Sequence, residues 1–171
     1  MSTKVPPARA PDSSYQRYVP APLREPIRPL RAILIAWLLS ITGSLLLAAL
    51  WQWIAPGLGS PQMPQVPAGL LLFMLVVFAP LVETLIMAAA LELMLRLRVP
   101  PGAAILLSAA GWGIAHSSQA AGWGLVIWWP FLIFSTLYVT WSKRGIGTGV
   151  GIVFVVHALQ NLGPALLLLR S

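Results

Sequence analysis

Cysteine is absent from this chain, and charged residues are scarce. Without cysteine there is no disulfide framework, no thiolate metal site and no cysteine nucleophile. Charged residues make up only 9% of the 171 positions, whereas hydrophobic residues make up 58%. This balance lies outside the range of ordinary soluble domains and is typical of membrane proteins. The sequence therefore predicts a single membrane domain.

Long apolar runs are in turn missing from the first 31 residues, which contain seven prolines and six lysines or arginines. A segment of this composition cannot bury enough apolar surface to offset the entropy cost of ordering. We expect residues 1–31 to form a disordered, Pro/Arg-rich cytoplasmic tail and residues 32–171 to form a transmembrane helical domain. The polar stretch is too long for a signal peptide, and the next apolar run is long enough to span a membrane, so we expect an uncleaved first helix.

Five apolar segments follow the tail, separated by short connections of proline, glycine or polar residues. They cover residues 32–55, 67–97, 101–118, 121–141 and 146–169. The predicted fold class is therefore all-α, a polytopic transmembrane helix bundle of about five membrane helices.

Positive charges are placed unevenly along these segments. All of the 11 lysines and arginines except Arg170 fall on one side of the predicted membrane. Such residues accumulate in cytoplasmic loops, which predicts a cytoplasmic N-terminus. The net charge of +7 needs no nucleic acid partner, because anionic lipid headgroups beside the basic loops are sufficient. We expect a multi-pass integral protein of a bacterial plasma membrane, with the lipid bilayer as its partner.

Polar side chains interrupt the predicted spans, among them Glu83, His116, His157 and Asn161. An ionisable group at membrane depth costs about 2.5–3.5 kcal/mol on insertion scales and usually faces a cavity or a partner. Counted at about 1.5 Å per residue, Glu83, His116 and His157 lie roughly 21, 22 and 17 Å from the cytoplasmic ends of their segments. Asn161 lies one turn beyond His157 on the same helix face. The sequence thus predicts one polar site built by three helices.

A second acidic residue of the same span, Glu92, shows a different pattern. It lies on the opposite helix face from Glu83 and only about 7 Å from the cytoplasmic end of the segment. Its neighbour one turn later is Arg96. We interpret Glu92 and Arg96 as an interfacial ion pair whose side chains reach towards the headgroups.

Three stretches, "FAPLVETLIM", "WGIAH" and "HALQN", resemble the motifs of the CAAX protease and bacteriocin-processing (CPBP) family of intramembrane proteases. The family pattern has two adjacent glutamates followed by an arginine, then an aromatic residue four positions before a histidine, then a histidine four positions before an asparagine. Trp112 with His116, and His157 with Asn161, match the second and third motifs in full. The resemblance covers residues 67–165.

The first motif is degenerate. Glu83 fits the first glutamate, but Thr84 stands in place of the second and Ala88 in place of the arginine. Another register would match Glu92 and Arg96 to the second glutamate and the arginine. That register disagrees with the depth count and leaves Glu83 as an unexplained buried acid, so we keep the register that uses Glu83.

The resemblance implies an intramembrane endopeptidase of the glutamic, CAAX prenyl protease-like type. In the family, the first glutamate and the histidine of the second motif activate a water, and the histidine and asparagine of the third motif stabilise the oxyanion. The substrate would be a membrane protein or lipid-associated peptide, for example a prenylated terminus, a leader peptide or a C-terminal sorting segment. Carried over to this chain, the catalytic residues are Glu83, His116, His157 and Asn161, and the site wall contains Trp112 and Thr84.

Three other interpretations stay open from the sequence. Loss of the second glutamate and the arginine could make the chain a catalytically inactive membrane scaffold of the same family. A proton-coupled carrier uses similar buried residues, although no inverted repeat is visible. The family chemistry requires no cofactor; if a metal is bound, Glu83, His116 and His157 could hold zinc with one open position, although no HExxH motif is present.

Overall fold

The computed structural model describes residues 19–55 and 64–169, which fold as a bundle of helices without any strand. A π-helical segment, Met74–Phe78, joins the third helix to the fourth, and a 3₁₀ turn, Ser142–Arg144, follows the sixth. The predicted all-α class is therefore confirmed. The α-helices of the described residues are α1 (Ala21–Arg24), α2 (Pro29–Ile54), α3 (Ala68–Phe73), α4 (Ala79–Arg96), α5 (Pro101–Ser117), α6 (Trp123–Trp141) and α7 (Ile146–Leu168).

Within the described ranges, four helical stretches are long and apolar enough to cross a membrane. The fifth predicted span corresponds to α5, which has 17 residues. At about 1.5 Å per residue α5 is about 25 Å long, shorter than the roughly 30 Å of a hydrocarbon core. The bundle thus has the predicted multi-pass form, in which α5 is shorter than the four long stretches. The four long stretches are Pro29–Ile54, Ala68–Arg96, Trp123–Arg144 and Ile146–Leu168.

The central helix of the bundle is α6. Its most apolar window is 61% buried, against 17% for α2 at the periphery, and α2, α5 and α7 all pack against it. The backbones of α5 and α6 approach each other closely where Gly113 lies against Gly124, and a side chain on either glycine would meet the carbonyl oxygen of the other. Small residues at such crossings let helix backbones approach closely in a membrane. This contact makes α5 and α6 antiparallel neighbours.

The peripheral helix α2 is held by small residues and by two hydrogen bonds. Ser40 Oγ donates to Gln160 Oε1 of α7 at 2.7 Å, and Gln160 Nε2 donates to Ser44 Oγ at 3.3 Å. Hydrogen bonds between helices replace the hydrophobic driving force that lipid does not supply. The buried residues of α2 recur at every fourth position, and they are Ala32, Ala36, Ser40 and Ser44.

The segment before α2 is ordered. Leu23 of α1 is buried, and the Arg144 side chain donates a hydrogen bond to the Pro26 carbonyl at 3.0 Å. The prediction of a disordered tail is therefore wrong for residues 19–31, because one apolar side chain in this polar stretch finds a place against α6 and the turn after α6 binds its backbone. The rest of the predicted tail, residues 1–18, lies outside the described part of the chain.

All lysines and arginines of the described residues lie at one end of the bundle, which we call the basic end. This end contains α1, the start of α2, the α4–α5 connection and the turn between α6 and α7. The opposite end, which we call the far end, contains the α5–α6 connection at residues 118–122. The basic end carries Arg24, Arg28, Arg31, Arg96, Arg98, Lys143 and Arg144.

Candidate active site

The helical stretch that carries Glu83 changes from π-helical to α-helical hydrogen bonding just before it, at Ala79, and we call this point the helix break. Ala79 donates its backbone N–H to the Met74 carbonyl, five residues back, in the π-helical pattern. The next N–H of that pattern would come from residue 80, but Pro80 has none, so it cannot serve the Leu75 carbonyl. The side chain of Asn161 in α7 donates to this carbonyl at 3.0 Å. Asn161 thus compensates for the proline and fastens α7 to the helix break.

Two histidine side chains, from α5 and α7, lie beside the carboxylate of Glu83 in α4. Its Oε2 lies 3.5 Å from His157 Nε2 and its Oε1 lies 4.0 Å from His116 Nε2. The side chain of His157 is 4% exposed, that of His116 is 12% exposed and that of Glu83 is 24% exposed. The structure therefore brings together the three ionisable residues that the depth count places at one level. The carboxylate keeps some exposure, which a reacting group needs.

The tautomer of His116 follows from its backbone contact. Its Nδ1 lies 2.9 Å from the Trp112 carbonyl oxygen, which can only accept a hydrogen bond. Nδ1 must therefore carry a proton. In the neutral ring, Nε2 is then an acceptor that faces Glu83. The separation of 4.0 Å is longer than a hydrogen bond, and a bond formed at closer approach would need a proton on the carboxyl group or on Nε2.

The ring of His157 is oriented by Thr84. Thr84 is fully buried, and its Oγ1 lies 3.4 Å from His157 Nδ1. An ionised Glu83 carboxylate can only accept, which favours the tautomer that has its proton on His157 Nε2 and leaves Nδ1 to accept from the threonine hydroxyl. Thr84 of α4 therefore contacts His157 of α7 directly.

Ala88, four residues after Thr84, is also buried by the packing of the helices. Ala88 is 4% exposed and faces the bundle interior together with Met87 and Leu91. A charged side chain at position 88 alone would be buried at high desolvation cost. Small and apolar residues thus form the core of the bundle beside Glu83.

Aromatic rings of α6 form the floor of the site, and sequence reasoning missed them. Phe131 stacks on Trp112 with ring centroids 4.4 Å apart, and Phe134 lies 4.7 Å from the ring of His157. Phe131 also meets His157 edge-on at 5.4 Å. The "WWPFLIF" stretch signals aromatic residues at this level, but large apolar side chains occur on every face of α6, so its sequence does not show which face is turned to the site.

Glu92 is placed outside this site. The Tyr138 hydroxyl of α6 donates to Glu92 Oε1 at 3.0 Å. In residues 19–55 and 64–169, no ion pair within 4.0 Å joins Glu92 to Arg96. The predicted interfacial ion pair is therefore wrong, because the half-buried carboxylate faces α6 while the Arg96 side chain is exposed. The structure gives no support to the register that uses Glu92.

The zinc alternative names the same three side chains, Glu83, His116 and His157. Zinc would need their oxygen and nitrogen atoms about 2.0–2.2 Å from one common point. Among the residues that the structure describes, no group of three such side chains is arranged to hold a metal ion.

In chemical terms, the site is a partly exposed carboxylate between two imidazoles above an aromatic floor. Such a group can accept a proton from a water and return it to another atom. Comparison of the chain with protein-family models, with curated proteins and with solved structures yields no match. Function is therefore inferred from the residues and distances given above.

Proposed function

We propose that the protein is an intramembrane endopeptidase of the glutamic type, similar to the CAAX prenyl proteases, in a bacterial plasma membrane. It would hydrolyse a peptide bond of a membrane protein or lipid-associated peptide. The observation that carries the proposal is the approach of Glu83 to His116 and His157 within 3.5–4.0 Å inside an apolar bundle. Ionisable clusters at this depth are costly for folding, and such clusters mark functional sites.

The first half of the proposed reaction uses Glu83 and His116. The Glu83 carboxylate removes a proton from a water, whose oxygen then forms a bond to the carbonyl carbon of the substrate. His116 Nε2 faces the same carboxylate and shares the proton, while the Trp112 carbonyl fixes the ring through Nδ1. The proton then passes to the leaving nitrogen as the C–N bond breaks, so the site returns to its starting charge.

The second half concerns the negative charge on the substrate oxygen. When Glu83 has taken the proton, the His157 Nε2–H is released from the carboxylate and can donate to the oxyanion. Asn161 Nδ2 has two hydrogens and uses one on the Leu75 carbonyl, which leaves one for the same oxygen. Donors fixed in advance in a water-poor site stabilise such charge strongly. Phe131 and Phe134 keep water away from this side.

One observation favours a second candidate, an inactive scaffold of the same family. Thr84 and Ala88 are buried where the family has a glutamate and an arginine, so this chain lacks two polar groups of the first motif. The contact of Thr84 with His157 supports the active form, because it supplies a different orienting group. Only an activity measurement separates the two candidates.

The test is cleavage of a library of peptides with membrane-adjacent termini by the purified protein in lipid. Wild type is compared with Glu83→Gln, with Glu92→Gln as matched control, and with a chelator added. We expect cleavage by wild type and by Glu92→Gln, loss in Glu83→Gln and no effect of the chelator. Cleavage that survives in Glu83→Gln would contradict the proposal, cleavage lost with the chelator would indicate a metal peptidase, and no cleavage by wild type would support the scaffold.

A further inference from the structure

The candidate active site and the basic end of the bundle lie at different depths. Glu83 is roughly 20 Å along its helix from Arg96, and His116 is roughly 22 Å along α5 from Pro101, at about 1.5 Å per residue. With a hydrocarbon core of about 30 Å, these distances put the site in the leaflet away from the basic end. The site therefore lies just beyond the midplane of the membrane, and His116 lies close to the far-end terminus of α5.

The route from the basic end to the site is closed by packing. Below Glu83 on its own helix, Met87 and Leu91 are fully buried. Below the aromatic floor, Leu137 and Tyr138 of α6 are also fully buried, as is Val153, one turn before His157 on α7. A polypeptide cannot pass through such a core without unpacking it.

The far end is built differently. His116 lies one residue before the end of α5 at Ser117, where the chain turns back through exposed polar residues such as Gln119. On the same side the helix that carries Glu83 continues for roughly 22 Å towards Ala68, at about 1.5 Å per residue. One wall of the site thus ends at the level of the reacting groups while a neighbouring helix goes on past them.

From these features we propose that substrate reaches the site from the far end, through the leaflet opposite the basic charges. Because lysine and arginine accumulate on the cytoplasmic side, this is the extracytoplasmic leaflet. The substrate class is then a membrane-anchored polypeptide whose cleaved bond lies in or near the outer leaflet. A prenylated terminus inserts from the cytoplasmic face and does not fit this placement. The substrate class rests on the proposed function, whereas the direction of access does not.

The experiment uses the absence of cysteine, since any introduced thiol is the only one in the chain. A membrane-impermeant maleimide, which reacts with hydrated thiolates, is applied to intact cells and to permeabilised cells. Glu83→Cys reports on the site, Gln119→Cys on the far end and Lys143→Cys on the basic end. Met87→Cys, on the same helix but fully buried, is the control for folding.

We expect Glu83→Cys and Gln119→Cys to be labelled in intact cells, Lys143→Cys only after permeabilisation, and Met87→Cys only after denaturation. Labelling of Glu83→Cys only in permeabilised cells, or in neither preparation, would overturn the direction of access. Labelling of Gln119→Cys only after permeabilisation would overturn the orientation. If Glu83→Cys does not fold, His116→Cys takes its place. Labelling requires no catalysis, so the direction of access can be established even if the cleavage assay fails. An unexpected labelling pattern, in turn, does not decide whether the protein is a peptidase, which the cleavage assay tests.

Discussion

The two glutamates of α4 have the same chemistry and the same helix, yet different surroundings. Glu83 lies between two imidazoles from α5 and α7, at the far-end side of the bundle. Glu92 lies at the basic end and accepts one hydrogen bond, from the Tyr138 hydroxyl of α6. One carboxylate has partners that can exchange protons with it, and the other has a partner that only holds it in place. The set of partners, and not burial alone, separates a candidate catalytic acid from a structural one.

The sharpest test of this comparison is to remove each negative charge in turn. We expect Glu83→Gln to lower the rate of peptide cleavage by at least about 10²-fold, because a carboxamide cannot accept the proton of the water. Glu92→Gln should retain the wild-type rate, since Tyr138 can donate to the amide oxygen. Initial rates at saturating substrate measure both, and equal losses in the two variants would mean that the charges act through stability alone.

A second test addresses the helix break that precedes Glu83 and has no counterpart at Glu92. Asn161→Ala leaves the Leu75 carbonyl without its donor, which we expect to cost about 1–3 kcal/mol of stability. Pro80→Ala supplies a backbone N–H in that region, so the double variant should recover most of the loss. Thermal unfolding of the two single variants and the double variant in detergent gives the coupling energy.

Recovery of stability without recovery of activity is the expected result for that double variant, because Asn161 also serves the oxyanion in the proposed reaction. Strictly additive losses in stability would show that the asparagine and the proline are not linked through the Leu75 carbonyl. Gln160→Ala is a matched control on α7, since its amide contacts α2 and not the break.

The third test is at the Glu92 side of the comparison. Tyr138→Phe removes one hydroxyl and keeps the ring, so we expect a loss of about 1 kcal/mol in stability from the missing hydrogen bond. Cleavage should not change. The loss should be smaller in a Glu92→Gln background, because the bond then lacks its charge. A fall in cleavage rate with stability unaffected would place Tyr138 in the reaction.

Membrane segments of this chain could be predicted closely, whereas the site could be predicted only in part. The last segment is predicted as residues 146–169 and observed as Ile146–Leu168. The prediction is close because charged residues and a glycine mark the start of the helix in the sequence. The contact of Glu83 with two histidines could be predicted from the sequence, because ionisable residues are rare in such spans and their depths can be counted. The aromatic floor could not be predicted from the sequence, since large apolar side chains occur on every face of α6 and no pattern singles out the face that meets the site.

Two errors have one physical cause. The first error concerns residues 19–31, which are ordered because Leu23 is buried against α6. The second concerns Glu92, whose partner is Tyr138 of α6 and not Arg96. Both are tertiary contacts between residues far apart in sequence. Composition and local spacing describe a segment by itself and contain no information about what packs on it.

The smallest expected effect concerns the orientation of His157. Thr84→Val keeps the volume of the side chain and removes the hydroxyl that contacts Nδ1 at 3.4 Å. Because this contact is long, we expect the transition state to lose less than about 1 kcal/mol of stabilisation, which lowers the cleavage rate by roughly fivefold at most. A pH profile of kcat compared with wild type detects the change in the histidine, and an unchanged profile would mean that the threonine only fills space.

The burial of α6 has a consequence for biosynthesis. Among the four membrane-crossing stretches of the described residues, it has the lowest mean hydropathy, and it carries hydroxyl groups such as that of Ser135, which bonds to Ser108 of α5. A translocon releases a segment into lipid according to its apolarity, so α6 on its own is the weakest candidate for release. It leaves the ribosome, however, after the helices that shield its hydroxyl groups from lipid. The order of helices along the chain therefore lets the earlier helices assist the integration of the central one.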